Sequence, residues 1–170
     1  MNAFANAADP SELYRELRRM AHARLRDGGR NTLLDTAALV HEAYLRMAPG
    51  ADAIADRRQW LAYASRTMRS VVVDMARQRQ SERHGGRVGF VTWTEALDLQ
   101  AQASADEVLA VHAALAELEQ LAPRLGAVVE MRYFAGIDDA QIAAALDMSE
   151  RSVRRDLDKA RRLLVQALKA

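Results

Sequence analysis

Residues 139–164 read DAQIAAALDMSERSVRRDLDKARRLL, and the fold turns on how this stretch is parsed. It divides into two helices joined by a tight turn. In the first, residues 140–146, Ile142, Ala143 and Leu146 fall on one side. Asp147 and Met148 make the turn, and Ser149 offers an N-cap side chain with Glu150 near the positive end of the second helix. There, Val153, Leu157, Ala160, Leu164 and Leu168 recur every three or four residues and form one apolar stripe. Arg151, Arg154, Arg155, Lys159 and Arg162 take the opposite face. A helix pinned by its predecessor and basic from its first turn is what major-groove reading by a helix-turn-helix requires. The competing reading is a helical hairpin whose charges are simply solvated. Small Ala143, the short turn and the position of Val153 favour the DNA-reading geometry. The turn position, often Gly, is here Asp147, which tolerates a left-handed backbone better than most residues.

Working outward, the composition admits one domain or two small ones in 170 residues. The chain has no Cys, which excludes disulfides, thiolate zinc sites and a cysteine nucleophile together and suits a reducing cytoplasm. No apolar run is long enough to span a membrane, and MNAFANAADP has neither a positive n-region nor an apolar h-region. Net charge is +1, but the charges are segregated. Residues 66–87 and 149–170 each carry a balance of +4, whereas residues 88–123 hold six acids and no Lys or Arg. Two basic blocks flanking an acidic stretch point to two polyanion-binding surfaces on a tether. The same layout suggests that the free chain folds back, its acidic stretch (Glu95, Asp98, Asp106, Glu107) screening the basic faces. Of the 24 basic residues 22 are Arg, whose planar fork suits bidentate phosphate and guanine contacts.

The expected architecture is all-α, in two small helical domains joined by an acidic linker. Residues 1–9 form a loose tail. Residues 10–26 are helical with Leu13, Leu17, Met20, Ala21 and Leu25 inward, and stop at Asp27-Gly28-Gly29. A second helix starts at Asp35 or Thr36, runs to Met47, and is closed by Pro49-Gly50. Residues 57–83 form a third, with Trp60, Leu61, Ala64, Met68, Val71, Val72 and Met75 inside and Arg66, Arg69, Arg77, Arg79 and Arg83 on the remaining surface. Residues 87–104 lose the pattern and read as linker. Helices at 105–121 and 124–134 precede Gly136 and the helix-turn-helix. The domains are thus 10–86 and 105–170, each with a small core of its own.

His41-Glu42 invites a metalloprotease reading, but the second His of H-E-x-x-H would fall at Leu45. No nucleophile is paired with a base, and Gly85-Gly86 is too short to cradle phosphate. The sequence reads as a non-enzyme with no cofactor and no metal site.

ALVHEAYLRM (38–47), WLAYASRTMRSVVVDMARQRQ (60–80) and VVEMRYFAGIDDAQIAAALDMSERSVRRDLDKARRLL (128–164) together resemble a bacterial RNA polymerase sigma factor. Specifically they resemble the extracytoplasmic-function (ECF) group, which keeps only the sigma-2 and sigma-4 domains. The resemblance covers about residues 11–168. It implies a subunit that binds core RNA polymerase through the beta-prime clamp helices and the beta flap and directs promoter-specific initiation. It places polymerase contacts at Asp35, Leu39, His41, Glu42 and Tyr44. It places −10 contacts at Trp60, Arg69, Arg77, Arg79 and Arg83, with Asp74 fixing neighbouring arginines or a loop. It places −35 contacts at Ser149, Arg151, Ser152, Arg154, Arg155 and Lys159. The acidic linker would run through the RNA-exit path. Members of the group usually carry acids at the start of the clamp-binding helix, where this chain has only Asp35 and Glu42. Thr36 lies beside that deficit, so a Ser/Thr kinase acting at Thr36, with Thr32 as second choice, would restore negative charge. An anti-sigma factor is the other regulatory partner expected. The rival readings are a one-component helix-turn-helix regulator that binds an operator, and a helical adaptor that does not touch DNA.

Overall fold

The computed structural model describes residues 10–26, 36–54, 56–82 and 105–169. The linker, the tail, Asp35, Thr32 and Arg83 lie outside the described residues, as do the side chains of Thr36 and Leu25. The described residues form seven α-helices with a short 3-10 turn and a π-helical turn, and no strand. In chain order they are α1 (Pro10–Arg26), α2 (Thr36–Met47), the 3-10 turn Ala48–Ala53, α3 (Arg57–Glu82), α4 (Ala105–Leu121), α5 (Pro123–Val129) continued by the π-turn Glu130–Phe134, α6 (Asp139–Leu146) and α7 (Glu150–Lys169).

Each helix forms where its apolar spacing closes a face. Leu13, Leu17, Met20 and Ala21 of α1 are buried against Leu39, Val40, Ala43 and Met47 of α2, and α2 in turn lies on α3. Two helix starts rest on aspartates the periodicity did not mark. Asp56 Oδ1 accepts from Gln59 N at 2.8 Å to open α3, and Asp138 Oδ1 accepts from Gln141 N at 2.8 Å to open α6. Pro123 sits in the first turn of α5, where its missing N–H costs nothing. Gly136, at φ 64°, takes the left-handed turn that separates the π-turn from α6.

α3 departs from the amphipathic pattern expected of it. Val71, Val72 and Val73 are all at most 2% exposed. Three consecutive helical residues span about 200° of the helix, so this segment is covered on two sides. One side meets α2; the other packs on α4 and the π-turn. The two separate cores expected from the sequence are therefore one continuous cluster, running from Leu13 to Leu164. Buried Ser65 is satisfied locally, its hydroxyl donating to Leu61 O at 2.7 Å.

Candidate nucleic-acid interface

The helix-turn-helix is built as its residues require. α6 ends at Asp147, which adopts φ 54° and ψ 53°, and Met148 N bonds to Ala143 O at 2.9 Å across the turn. Asp147 thus holds the left-handed position that a Gly would occupy more cheaply. Ser149 caps α7, its Oγ accepting from Ser152 N at 3.1 Å and lying 3.0 Å from Ser152 Oγ. Val153, Ala160 and Leu164 are buried, which fixes the rotation of α7 about its axis. Two polar contacts fasten it further. Asp156, which the apolar stripe did not foresee, is 3% exposed and accepts from Arg124 Nε of α5 at 2.7 Å. Arg161 Nη2 donates to Tyr133 Oη at 2.8 Å.

That rotation turns Ser149, Arg151, Arg154, Arg155, Lys159 and Arg162 outward, all exposed, with Ser152 half-buried beside them. The arginines differ. Arg154 is held by Asp139 Oδ2 at 3.1 Å and Glu150 Oε2 at 2.9 Å. Arg155 reaches no closer than 4.0 Å to Asp156 Oδ1, and that carboxylate is already taken by Arg124. A row of guanidinium groups at the N-terminal end of a solvent-facing helix can fork onto base edges or phosphates.

The residues assigned to the −10 element are not brought together in the same way. Arg77 is exposed and lies 3.6 Å from Asp74 Oδ1; Arg79 is half-buried. Asp74 also takes Arg46 Nη1 at 2.7 Å, and Arg46 reaches Ser70 Oγ at 3.0 Å, so Asp74 does fix neighbouring arginines. Trp60, however, is 4% exposed within the core and Arg69 only 6%. In this arrangement neither offers a surface to DNA. Arg69 points into the seam between α3, α4 and the π-turn. Its Nη1 meets Glu119 Oε1 at 2.5 Å and Glu130 Oε1 at 3.3 Å, its Nε donates to His112 Nδ1 at 3.1 Å, and its Nη2 donates to His112 O at 3.4 Å. Phe134 closes the site, its ring centroid 6.0 Å from the guanidinium carbon. Burial pushes the Glu130 carboxyl above its ordinary range, more than the Arg69 guanidinium pulls it down. Burial, then Arg69, holds His112 below its ordinary value.

Glu119 can stand where it does because residue 126 is Gly. A Cβ there would lie 2.3 Å from Glu119 Cγ and 3.2 Å from Glu119 Cα. Any larger residue would force the Glu119 side chain, and with it the crossing of α4 and α5, to shift.

On α2, His41 is exposed and Glu42 half-buried, while Tyr44 stacks edge-on against Tyr14 at 5.8 Å. Leu39 is buried in the core and offers no surface here. Leu45, one turn beyond His41 and 51% exposed, was not singled out by the sequence and is the apolar residue this face presents. Its signal was available: a Leu off the stripe set by Leu39, Val40 and Ala43. α1 adds a cleft of about 1040 Å³ against α3 and residues 132–141, lined by Arg15, Arg18, Arg19, Arg57 and Arg132.

Among the described residues no helix is long and apolar enough to cross a membrane. No curated protein and no solved structure matches this chain. The family model described as ECF sigma factor matches residues 5–170, essentially the whole chain. With its helix-turn-helix and its all-helical fold, the protein belongs to the ECF sigma factors, a family of transcription initiation factors.

Proposed function

We propose that this protein binds core RNA polymerase in the cytoplasm and directs it to promoters, performing no covalent chemistry itself. Residues 10–86 act as the sigma-2 domain and residues 105–170 as the sigma-4 domain, with 87–104 as linker. The observation that carries the reading is the rigid presentation of α7. Its inner face is locked by Val153, Ala160, Leu164 and the Arg124–Asp156 pair, and its outer face offers Arg151, Arg154, Arg155 and Lys159 to a −35 major groove. α3 serves the −10 element through Arg77, Arg79 and Arg83, with Trp60 and Arg69 joining once α3 is uncovered. α2 serves the beta-prime clamp helices through Asp35, His41, Glu42, Tyr44 and exposed Leu45, and the sigma-4 domain serves the beta flap.

The test is run-off transcription with purified core polymerase on a library of genomic promoters. The protein should comigrate with core polymerase and yield promoter-specific transcripts. A protein that instead footprints an operator by itself, without polymerase, is a one-component regulator. Unchanged transcription after loss of Arg154 and Arg155 would point to an adaptor.

Control of the clamp contact belongs to the same reading. The first turn of α2 contains no acid, and Thr36 opens that helix, where added negative charge is favoured by exposed N–H groups. A phosphate at Thr36 would add about −1.5 to −2 charge. Core affinity of wild type, Thr36→Ala, Thr36→Glu and Thr36-phosphorylated protein decides between a kinase switch and control by an anti-sigma factor. Tight core binding that phosphate leaves unaltered removes the kinase.

A further inference from the structure

Arg69 is the most completely enclosed cation among the described residues, and the side chains it bonds to or meets face-on come from the C-terminal half. Glu119 and His112 stand on α4, and Glu130 and Phe134 on the π-turn. Among the described side chains no acid of α1, α2 or α3 bonds to it; the nearest along its own helix, Asp74, is turned to Arg46 and Arg77. A guanidinium taken out of water needs partners for its charge and its donors, and here these are supplied across the seam. The arrangement is specific as well as satisfied. Gly126 lets Glu119 approach, and burial of Glu130 beside Phe134 fixes the second carboxylate. Neighbouring Arg66 and Arg77 on α3 remain exposed.

We propose that Arg69, Glu119, Glu130 and His112 form a latch that closes the two halves of the free protein on one another and withholds Arg69 and the adjoining face of α3 from promoter DNA. The inference rests on the sigma-factor reading for what is withheld; the latch itself is a property of the free chain. Glu119 and Glu130 stand in for DNA phosphates at Arg69. Polymerase, by holding the two halves apart, releases Arg69 to a nucleic acid. The acids that do this are Glu119 of α4 and Glu130 of the π-turn; elsewhere in the described part of the acidic stretch, Asp106 accepts from Gln80 Nε2 at 2.6 Å.

The absence of native Cys permits labels at two introduced cysteines, one replacing exposed Arg66 on α3 and one replacing exposed Ala144 on α6. Distances between spin labels are read by double electron–electron resonance in full-length protein carrying Glu119→Gln and Glu130→Gln. The latch predicts a single short distance in the parent and a broad, longer distribution in the double variant. Binding of a single-stranded −10 oligonucleotide to free protein should rise about 10-fold, because the competent fraction rises, while binding by the reconstituted holoenzyme stays unchanged. Should the double variant unfold by circular dichroism, Glu119→Gln alone, at the more exposed acid, carries the same two readouts. An unchanged distance distribution together with unchanged oligonucleotide binding overturns the latch. Failure of the parent to support any promoter-specific transcript overturns the sigma-factor reading, whatever the label distance does.

Discussion

α3 and α7 each carry a row of arginines, and the two rows meet opposite fates. On α7 the row faces solvent along its whole length. On α3 it is interrupted: Arg66 and Arg77 are exposed, while Arg69 is sealed among acids from another part of the chain. Both helices contain apolar residues at helical spacing and arginines elsewhere. The difference lies in how many sides are apolar. α7 has one stripe and therefore one covered face. α3 has Val71, Val72 and Val73 in succession, so it needs cover on two sides, and the arginine between those sides is covered too.

The comparison breaks most sharply at Arg69. Arg69→Ala leaves Glu130 buried without its cation, and removing one partner of a buried pair costs about 3–5 kcal/mol. Urea unfolding should register a loss of that order, and Arg77→Ala, on the exposed part of the same row, should change stability by under about 0.5 kcal/mol. Equal effects of the two would mean that the seam contributes nothing.

On α7 the expected effects fall on DNA rather than on stability. Arg155 has no close acid of its own, whereas Arg154 must release Asp139 and Glu150 before it can reach DNA. Arg155→Ala should therefore cost more than Arg154→Ala, about 1–3 kcal/mol if it forks onto a guanine, with relaxed preference at one base pair. If it contacts phosphate, affinity falls evenly across sequences and the salt slope drops by about one. Neither variant should shift the unfolding midpoint appreciably. A destabilised Arg155→Ala would show that the α7 row, like Arg69, is structural.

These two rows also mark how far the sequence could be read. The helix-turn-helix was legible because its determinants are local: Ser149 caps its own helix, Asp147 sets its own φ, and Val153, Ala160 and Leu164 lie on one helix. The outward placement of Arg151, Arg154, Arg155 and Lys159 follows from that stripe alone. The burial of Trp60 and Leu39 follows from their places on apolar stripes, whereas that of Arg69 was not legible, because it depends on contacts made at long range. Arg69 and Glu130 are 61 positions apart, and nothing in the spacing of either indicates the other. The Val71–Val72–Val73 run was the available signal, since three consecutive apolar residues on a helix require cover on two sides. Asp156 was missed for a related reason, since its partner Arg124 comes from α5.

A smaller effect separates the local from the long-range contributions. Ser149→Ala removes the cap from α7 and should cost about 1 kcal/mol in overall stability. Because the inner face of α7 still sets its rotation, the −35 preference should survive while affinity weakens modestly. Lost preference would mean that the cap, and not the buried stripe, orients the arginine row.

The smallest expected effect is a pH dependence confined to the seam. His112 accepts from Arg69 Nε through Nδ1, so protonation removes that acceptor and places a second cation beside Arg69. Burial and then Arg69 hold its pKa below the ordinary 6.5, while Glu119 and Asp74 oppose the shift. In the closed protein His112 thus binds fewer protons than in the open or unfolded chain between its lowered value and 6.5. Its contribution to closure is complete above pH 6.5 and is lost as pH falls through the lowered value. Glu130 works the other way. Its raised pKa lets the closed form keep a proton that the open form gives up above about 4.5, so its contribution favours closure at low pH and fades as pH rises. The two dependences have opposite signs, and Glu130→Gln removes one of them. In that variant stability should fall monotonically as pH drops below 6.5, and adding His112→Gln should flatten the curve. The His112 ring-proton resonance, followed by NMR, should titrate below 6.5 in the wild type and move upward in Arg69→Ala. A wild-type midpoint at or above 6.5 would place His112 in water and reduce the seam to its two glutamates.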